Sequence, residues 1–126
     1  MTPEAIVLFC AIFNFIFGIF HLFFWKLFDW KNQLSKLSII NQAVVPVLNL
    51  CLTFVFAIFS FLLFFHSQEI ISTSLGHSLL VLIALFWALR AMEQVIFFGV
   101  KRSISISFFM LFLIGAALHA LPLIIL

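Results

Sequence analysis

Residues 86–98 read FWALRAMEQVIFF, so that Arg90, Glu93 and Gln94 set a guanidinium, a carboxylate and an amide inside an otherwise apolar stretch. A lone charge in hydrocarbon is costly, so such groups pair with one another, with backbone carbonyls or with something in a polar cavity. Arg90 and Glu93, at i and i+3 of a helix, are spaced for an ion pair, which lowers the cost of burial without removing it. Arginine also presents a planar fork of N–H donors matched to carboxylate and phosphate. The chemistry open to this set is recognition of an anionic or amphipathic group.

Asn14, His21 and Asn49 also interrupt apolar runs. At helical spacing Asn14, Gly18 and His21 share one face; Asn41, Val45, Asn49 and Thr53 share a second; Ile83, Trp87, Arg90, Gln94 and Phe97 share a third, with Glu93 at its border. The spacing predicts one polar cluster, contributed by three helices, of Asn14, His21, Asn49, Arg90, Glu93 and Gln94.

Other chemistries find less support. A bis-histidine haem needs two imidazoles at one depth on facing helices. His21 has no such companion, because His66 and His77 flank a polar connection and His119 falls near the far end of the last apolar run. Cys10 and Cys51 lack metal-type spacing and read as small apolar residues. No cofactor and no metal site are expected. GxSxG, HExxH and paired acidic residues are absent, and nothing supplies a nucleophile or oxyanion donors beside His21 and Glu93. A non-enzymatic role follows as the expectation, with no catalytic residue assigned. The net charge of +2 is small and suggests no nucleic-acid partner.

The elements that must position these residues follow from composition. The chain is 67% hydrophobic and 8% charged, with a mean hydropathy of +1.39, against roughly half apolar and a quarter charged in soluble domains. It reads as an integral membrane protein. A spanning helix takes ~20 mostly apolar residues, and four apolar runs stand out at 4–25, 43–65, 76–100 and 104–126. The expected fold class is an all-α, four-helix transmembrane bundle forming a single domain over 1–126. Pro46 and Pro122 fall near helix ends, and twenty Phe suit lipid-facing and packing positions. The start, MTPEAIVLFC, lacks the basic segment of a cleaved signal, so the first helix is expected to be retained. Gly115, Ala116, Ala117 and Ala120 make a small-residue patch expected to meet Ala84, Ala88 and Ala91.

In the first connection, KLFDWKNQLSKLSIINQ, Leu27, Trp30, Leu34 and Leu37 recur at helical spacing, which predicts a short interfacial helix; an ordinary loop dipping into the headgroups is the alternative. Lys26, Lys31 and Lys36 lie in this connection and Lys101 and Arg102 in the third, on one side of the membrane for an even number of crossings. The positive-inside rule then makes loops 26–42 and 101–103 cytoplasmic, with both termini out. Counting helical rise from that side puts His21 at roughly 7 Å, Asn49 at about 10 Å, Glu93 at about 12 Å, and Asn14 and Arg90 at about 16–18 Å.

In size and helix count alone the chain compares with small multidrug exporters and fluoride channels. Its first span, AIVLFCAIFNFIFGIFHLFF, has neither an embedded glutamate nor a Gly-rich opening followed by Arg, and no residue is carried over from either family. Two readings of the cluster stay open: glue between helices, or a binding site. The expected role is binding of a partner subunit, or of an amphipathic or anionic ligand such as a lipid, through the cluster in the cytoplasmic half. The alternative is a homo-oligomeric transporter or channel for a small solute or ion.

Overall fold

The computed structural model describes residues 1–126, which form helices and no strand. Four helices are long and apolar enough to cross a membrane: Pro3–Leu22, Ile39–Phe65, Ser74–Phe98 and Ser103–Ile125. A helix meets its backbone hydrogen-bonding needs within one segment, the condition for crossing hydrocarbon.

Helix α1 (Pro3–Leu22) begins where Thr2 Oγ1 accepts from the Ala5 N–H at 3.2 Å, with Pro3 at the first position, where its missing N–H costs nothing. The first connection is not one continuous helix. It folds as α2 (Phe24–Leu27), α3 (Trp30–Gln33) and a 3-10 turn (Leu34–Lys36). The break falls at Asp29, whose φ of 50° is left-handed and whose carboxylate oxygens accept from Asn32 Nδ2 at 3.0 and 3.1 Å. Aspartate tolerates that conformation through such local hydrogen bonds.

Helix α4 (Ile39–Phe65) starts earlier than the apolar run suggests. Ser38 draws it forward: its hydroxyl accepts from the Asn41 N–H at 3.4 Å and its carbonyl from the Gln42 N–H at 2.9 Å. Pro46 therefore lies in the helix interior rather than its first turn. After α5 (Ser67–Ser72), Thr73 caps α6 (Ser74–Glu93) by accepting from the Gly76 N–H at 3.0 Å. A side chain at Gly76 would collide with the Ile70 backbone, so only glycine permits this approach of α5 and α6. The helix widens into a π turn over Gln94–Phe98 and stops at Gly99, whose φ is 74°. Helix α7 (Ser103–Ile125) completes the chain.

The chain divides into two compact units, Met1–Cys10 with Leu63–Leu126, and Ala11–Leu62. In the first unit α6 and α7 pack together. Their buried residues are Leu80, Ile83, Trp87, Ala91 and Gln94 on α6 and its π turn, and Ser105, Phe112, Gly115, His119 and Pro122 on α7. Of the two small-residue patches, Ala91 and Gly115 are buried whereas Ala117 is exposed. Trp87 stacks on Phe112 at 5.9 Å. Pro122 has no N–H for the Leu118 carbonyl, and the Cys10 thiol donates to that carbonyl at 3.4 Å. Glu4 accepts from Ser67 Oγ at 3.4 Å and also from Gln68 Nε2.

In the second unit the remainder of α1 runs antiparallel to α4. Ser60 Oγ donates to the Ala11 carbonyl at 2.9 Å, and a Cβ at Gly18 would meet Phe56 Cβ at 3.4 Å and the Thr53 carbonyl at 3.8 Å. Phe17 leans on Phe56 at 6.1 Å, and Phe20, Phe24 and Phe28 meet edge to face at 5.0 and 4.8 Å.

Candidate functional site

The six residues marked out by spacing fall three to each unit. Asn14, His21 and Asn49 lie in the second. Asn14 is fully buried on α1. His21 and Asn49 form a reciprocal clasp between α1 and α4: Nδ1–H of His21 donates to Asn49 Oδ1 at 2.8 Å, and Asn49 Nδ2 donates to the His21 carbonyl at 2.9 Å. The first bond follows from Nδ2 being occupied as a donor, which leaves Oδ1 to accept. The imidazole stacks on Phe24 at 4.1 Å and leans on Phe56 at 5.3 Å. The Asn49 side chain is turned inward on His21, a geometry suited to holding two helices in register.

Arg90, Glu93 and Gln94 lie in the first unit, at the end of α6 and in the π turn that follows. Gln94 is buried, and each end of its amide has a partner. Its Oε1 accepts from an Arg90 terminal N–H at 3.1 Å, and its Nε2 donates to Ser105 Oγ at 3.0 Å. The Ser105 hydroxyl then donates to the Gly99 carbonyl at 2.5 Å. The chain from Arg90 to Gly99 is closed at every step, so a buried amide and hydroxyl stay satisfied where no water competes. Gly99 ends the helix in a conformation that favours glycine, which brings its carbonyl to the start of α7.

The guanidinium rests on the Phe112 ring, 4.4 Å from its centroid, with Phe98 at 5.8 Å. Helical side chains ordinarily lean toward the helix N-terminus. Arg90 leans the other way, one turn on to Gln94 and two turns on to Phe98, toward the 99–102 connection. This is how long cationic side chains in a bilayer carry their charge toward the interface.

Glu93 does not close on Arg90. The nearest nitrogen and oxygen stand 4.0 Å apart, an ion pair without a hydrogen bond, with the arginine side chain 29% and the glutamate side chain 43% exposed. Arg90 thus has one hydrogen-bond acceptor in the protein, the Gln94 amide, and its side chain stays partly exposed. The stripe expected to carry Arg90 inward is rotated: Ile83, Trp87 and Gln94 are buried, Arg90 is half-buried and Phe97 is exposed.

Sequence reasoning missed Ser105, Gly99, Phe98 and Phe112. Ser105 carried a usable signal, since a connection as short as residues 99–102 sets the first turn of α7 beside the last turn of the preceding helix. The two phenylalanines carried none, being two among twenty in the chain. The remaining histidines have local partners: His119 Nδ1–H donates to the Gly115 carbonyl at 2.7 Å, His77 Nε2–H to the Ile71 carbonyl at 2.9 Å, and His66 lies 3.3 Å from Glu69. No three of the His, Cys, Asp and Glu side chains come together as a metal-ligand set. Comparison with protein-family models, curated proteins and solved structures gives no significant match to this chain.

Proposed function

We propose that this protein is a non-enzymatic, multi-pass membrane protein that binds an amphipathic ligand carrying an anionic group, a phospholipid, with Arg90 as the anion contact. The carrying observation is the state of the guanidinium: 4.4 Å from the centroid of the Phe112 ring, hydrogen-bonded once to Gln94, and partly exposed with most of its donors unused. A charge held in that way is pre-organised for a planar, multidentate contact with phosphate oxygens. Helical rise sets the Arg90 backbone roughly 13 Å from Gly99, and the lean of its side chain toward the connection brings the charge up toward the depth of lipid phosphates. On the positive-inside rule this depth belongs to the cytoplasmic leaflet, with both termini outside. In this reading the His21–Asn49 clasp holds α1 to α4 and takes no part in ligand contact.

The test is native mass spectrometry of the protein purified in mild detergent, beside Arg90→Gln and Asn49→Ala. The expected result is a phospholipid adduct on the parent and on Asn49→Ala that is lost from Arg90→Gln. An Arg90→Gln variant that melts like the parent and keeps the same adduct removes Arg90 as the contact and the proposal with it.

A further inference from the structure

Arg90 as the anion contact leaves Glu93 without a role, and a carboxylate in that place would repel a purely anionic headgroup. We infer that the ligand is a phosphoethanolamine lipid, its phosphate on Arg90 and its primary ammonium on Glu93. This rests on the reading of Arg90 as the phosphate contact.

Three features lead to that headgroup. The two side chains stand with a nitrogen and an oxygen 4.0 Å apart, both partly exposed, and they are not joined by a hydrogen bond. Glu93 has no other ion-pair or hydrogen-bond partner, so its oxygens are available as acceptors. A zwitterion with phosphate and ammonium on a short ethylene spacer matches this adjacent plus and minus with a minus and a plus. Neutralising both charges at once matters more at the edge of hydrocarbon than in water, because unpaired charge there is poorly screened.

The same geometry discriminates among headgroups. A choline ammonium has no N–H to donate to a carboxylate and is recognised instead by aromatic faces. Here Phe112 and Phe98 are turned to the guanidinium. A glycerol headgroup brings no cation to Glu93, and a serine headgroup sets a second carboxylate beside it. The source is a lipid rather than a soluble phosphoethanolamine, because the flanking side chains of Leu89, Met92, Ile96 and Phe97 are exposed and apolar, a surface for acyl chains.

The experiment uses the full chain in detergent micelles doped with phosphatidylethanolamine, phosphatidylcholine or phosphatidylglycerol of the same acyl composition. Adduct retention in native mass spectrometry and the shift in melting temperature are both read, and soluble O-phosphoethanolamine is offered as a competitor. The expected result is retention of the ethanolamine lipid about tenfold above the other two, the effect of one charge-assisted hydrogen bond. Glu93→Gln should bring the ethanolamine and glycerol lipids to near parity, because it removes the carboxylate charge that draws the ammonium and repels a purely anionic headgroup, although an amide oxygen remains as a neutral acceptor. Glu93→Asp, which keeps the carboxylate, should retain the preference, and it serves as the test should Glu93→Gln fold poorly.

Equal retention of all three lipids by the parent, with loss of all three in Arg90→Gln, overturns the ethanolamine assignment and leaves the phosphate reading standing. Equal retention by Arg90→Gln and the parent overturns the phosphate reading itself. Displacement by the soluble competitor at the same concentration as the lipid overturns the lipid as source. A lipid-free homodimer that is lost in R90E and in E93R alone, and recovered when the two are co-expressed, assigns the charge pair to a second copy of the chain and overturns the lipid.

Discussion

The Arg90 guanidinium lies 4.4 Å from the centroid of the Phe112 ring, and Phe112 in turn stacks on Trp87 at 5.9 Å and 20°. One aromatic ring thus meets both a cation and an indole. A cation over an aromatic face gains about 0.5–2 kcal/mol, toward the upper end where water is excluded. The stack therefore orients the charge and links its setting to a natural fluorophore.

Phe112→Leu is expected to lower stability by about 1–3 kcal/mol through loss of ring packing. It should also weaken phospholipid retention, since Arg90 loses the ring it rests against. Equilibrium unfolding followed by tryptophan emission checks the first expectation and native mass spectrometry the second. Unchanged lipid retention in a destabilised Phe112→Leu would confine the ring to packing.

Ser105→Ala removes the hydroxyl that accepts from Gln94 and donates to the Gly99 carbonyl. Leaving the buried Gln94 amide N–H without its acceptor, and the half-buried Gly99 carbonyl without its donor, costs about 1–3 kcal/mol. The melting temperature should fall, and Gln94→Leu combined with Ser105→Ala should cost less than the sum of the single changes because both members of the contact go together. Additive losses would mean that the contact contributes nothing to stability.

The Cys10 thiol meets the Leu118 carbonyl that Pro122 leaves without a helical N–H. Cys10→Ala is expected to cost about 0.5–1.5 kcal/mol in the parent and less in a Pro122→Ala background, where a backbone N–H is restored to that carbonyl. Unfolding of the four proteins in a mixed-detergent titration measures the coupling. A zero coupling energy would show that thiol and proline act independently.

Membrane orientation can be read by labelling. In a background lacking Cys10 and Cys51, single cysteines replacing Ser35 and Ser72 should react with an impermeant maleimide from opposite faces, the first from the cytoplasm. Reaction of both from one face would contradict the assigned sidedness of the connections.

The number of long helices was legible in the sequence because hydropathy and length are properties of one segment at a time. A run of about 20 apolar residues has to be helical to cross hydrocarbon, whatever its neighbours are. The polar residues worth following were legible for the same reason: Arg90, Glu93 and Gln94 are rare among such neighbours, and His21 and Asn49, counted to roughly one depth, are hydrogen-bonded at 2.8 Å. Helix starts set by caps were less so. Ser38 begins α4 early and turns Pro46 into an interior residue, which the apolar run alone did not reveal.

What each polar group touches was decided by tertiary structure. The rotation of a helix about its axis depends on how side chains of two elements interdigitate, and one sequence segment does not contain that information. Packing of α6 against α7 turned Gln94 inward to Ser105 and left Arg90 at the edge, where the stripe alone predicted that both would face the same way. The π turn and the left-handed Gly99 complete the setting by bringing a carbonyl to the start of α7. Spacing made Arg90 and Glu93 neighbours; the packing around Phe112 drew the guanidinium toward Gln94 and held the two charges 4.0 Å apart.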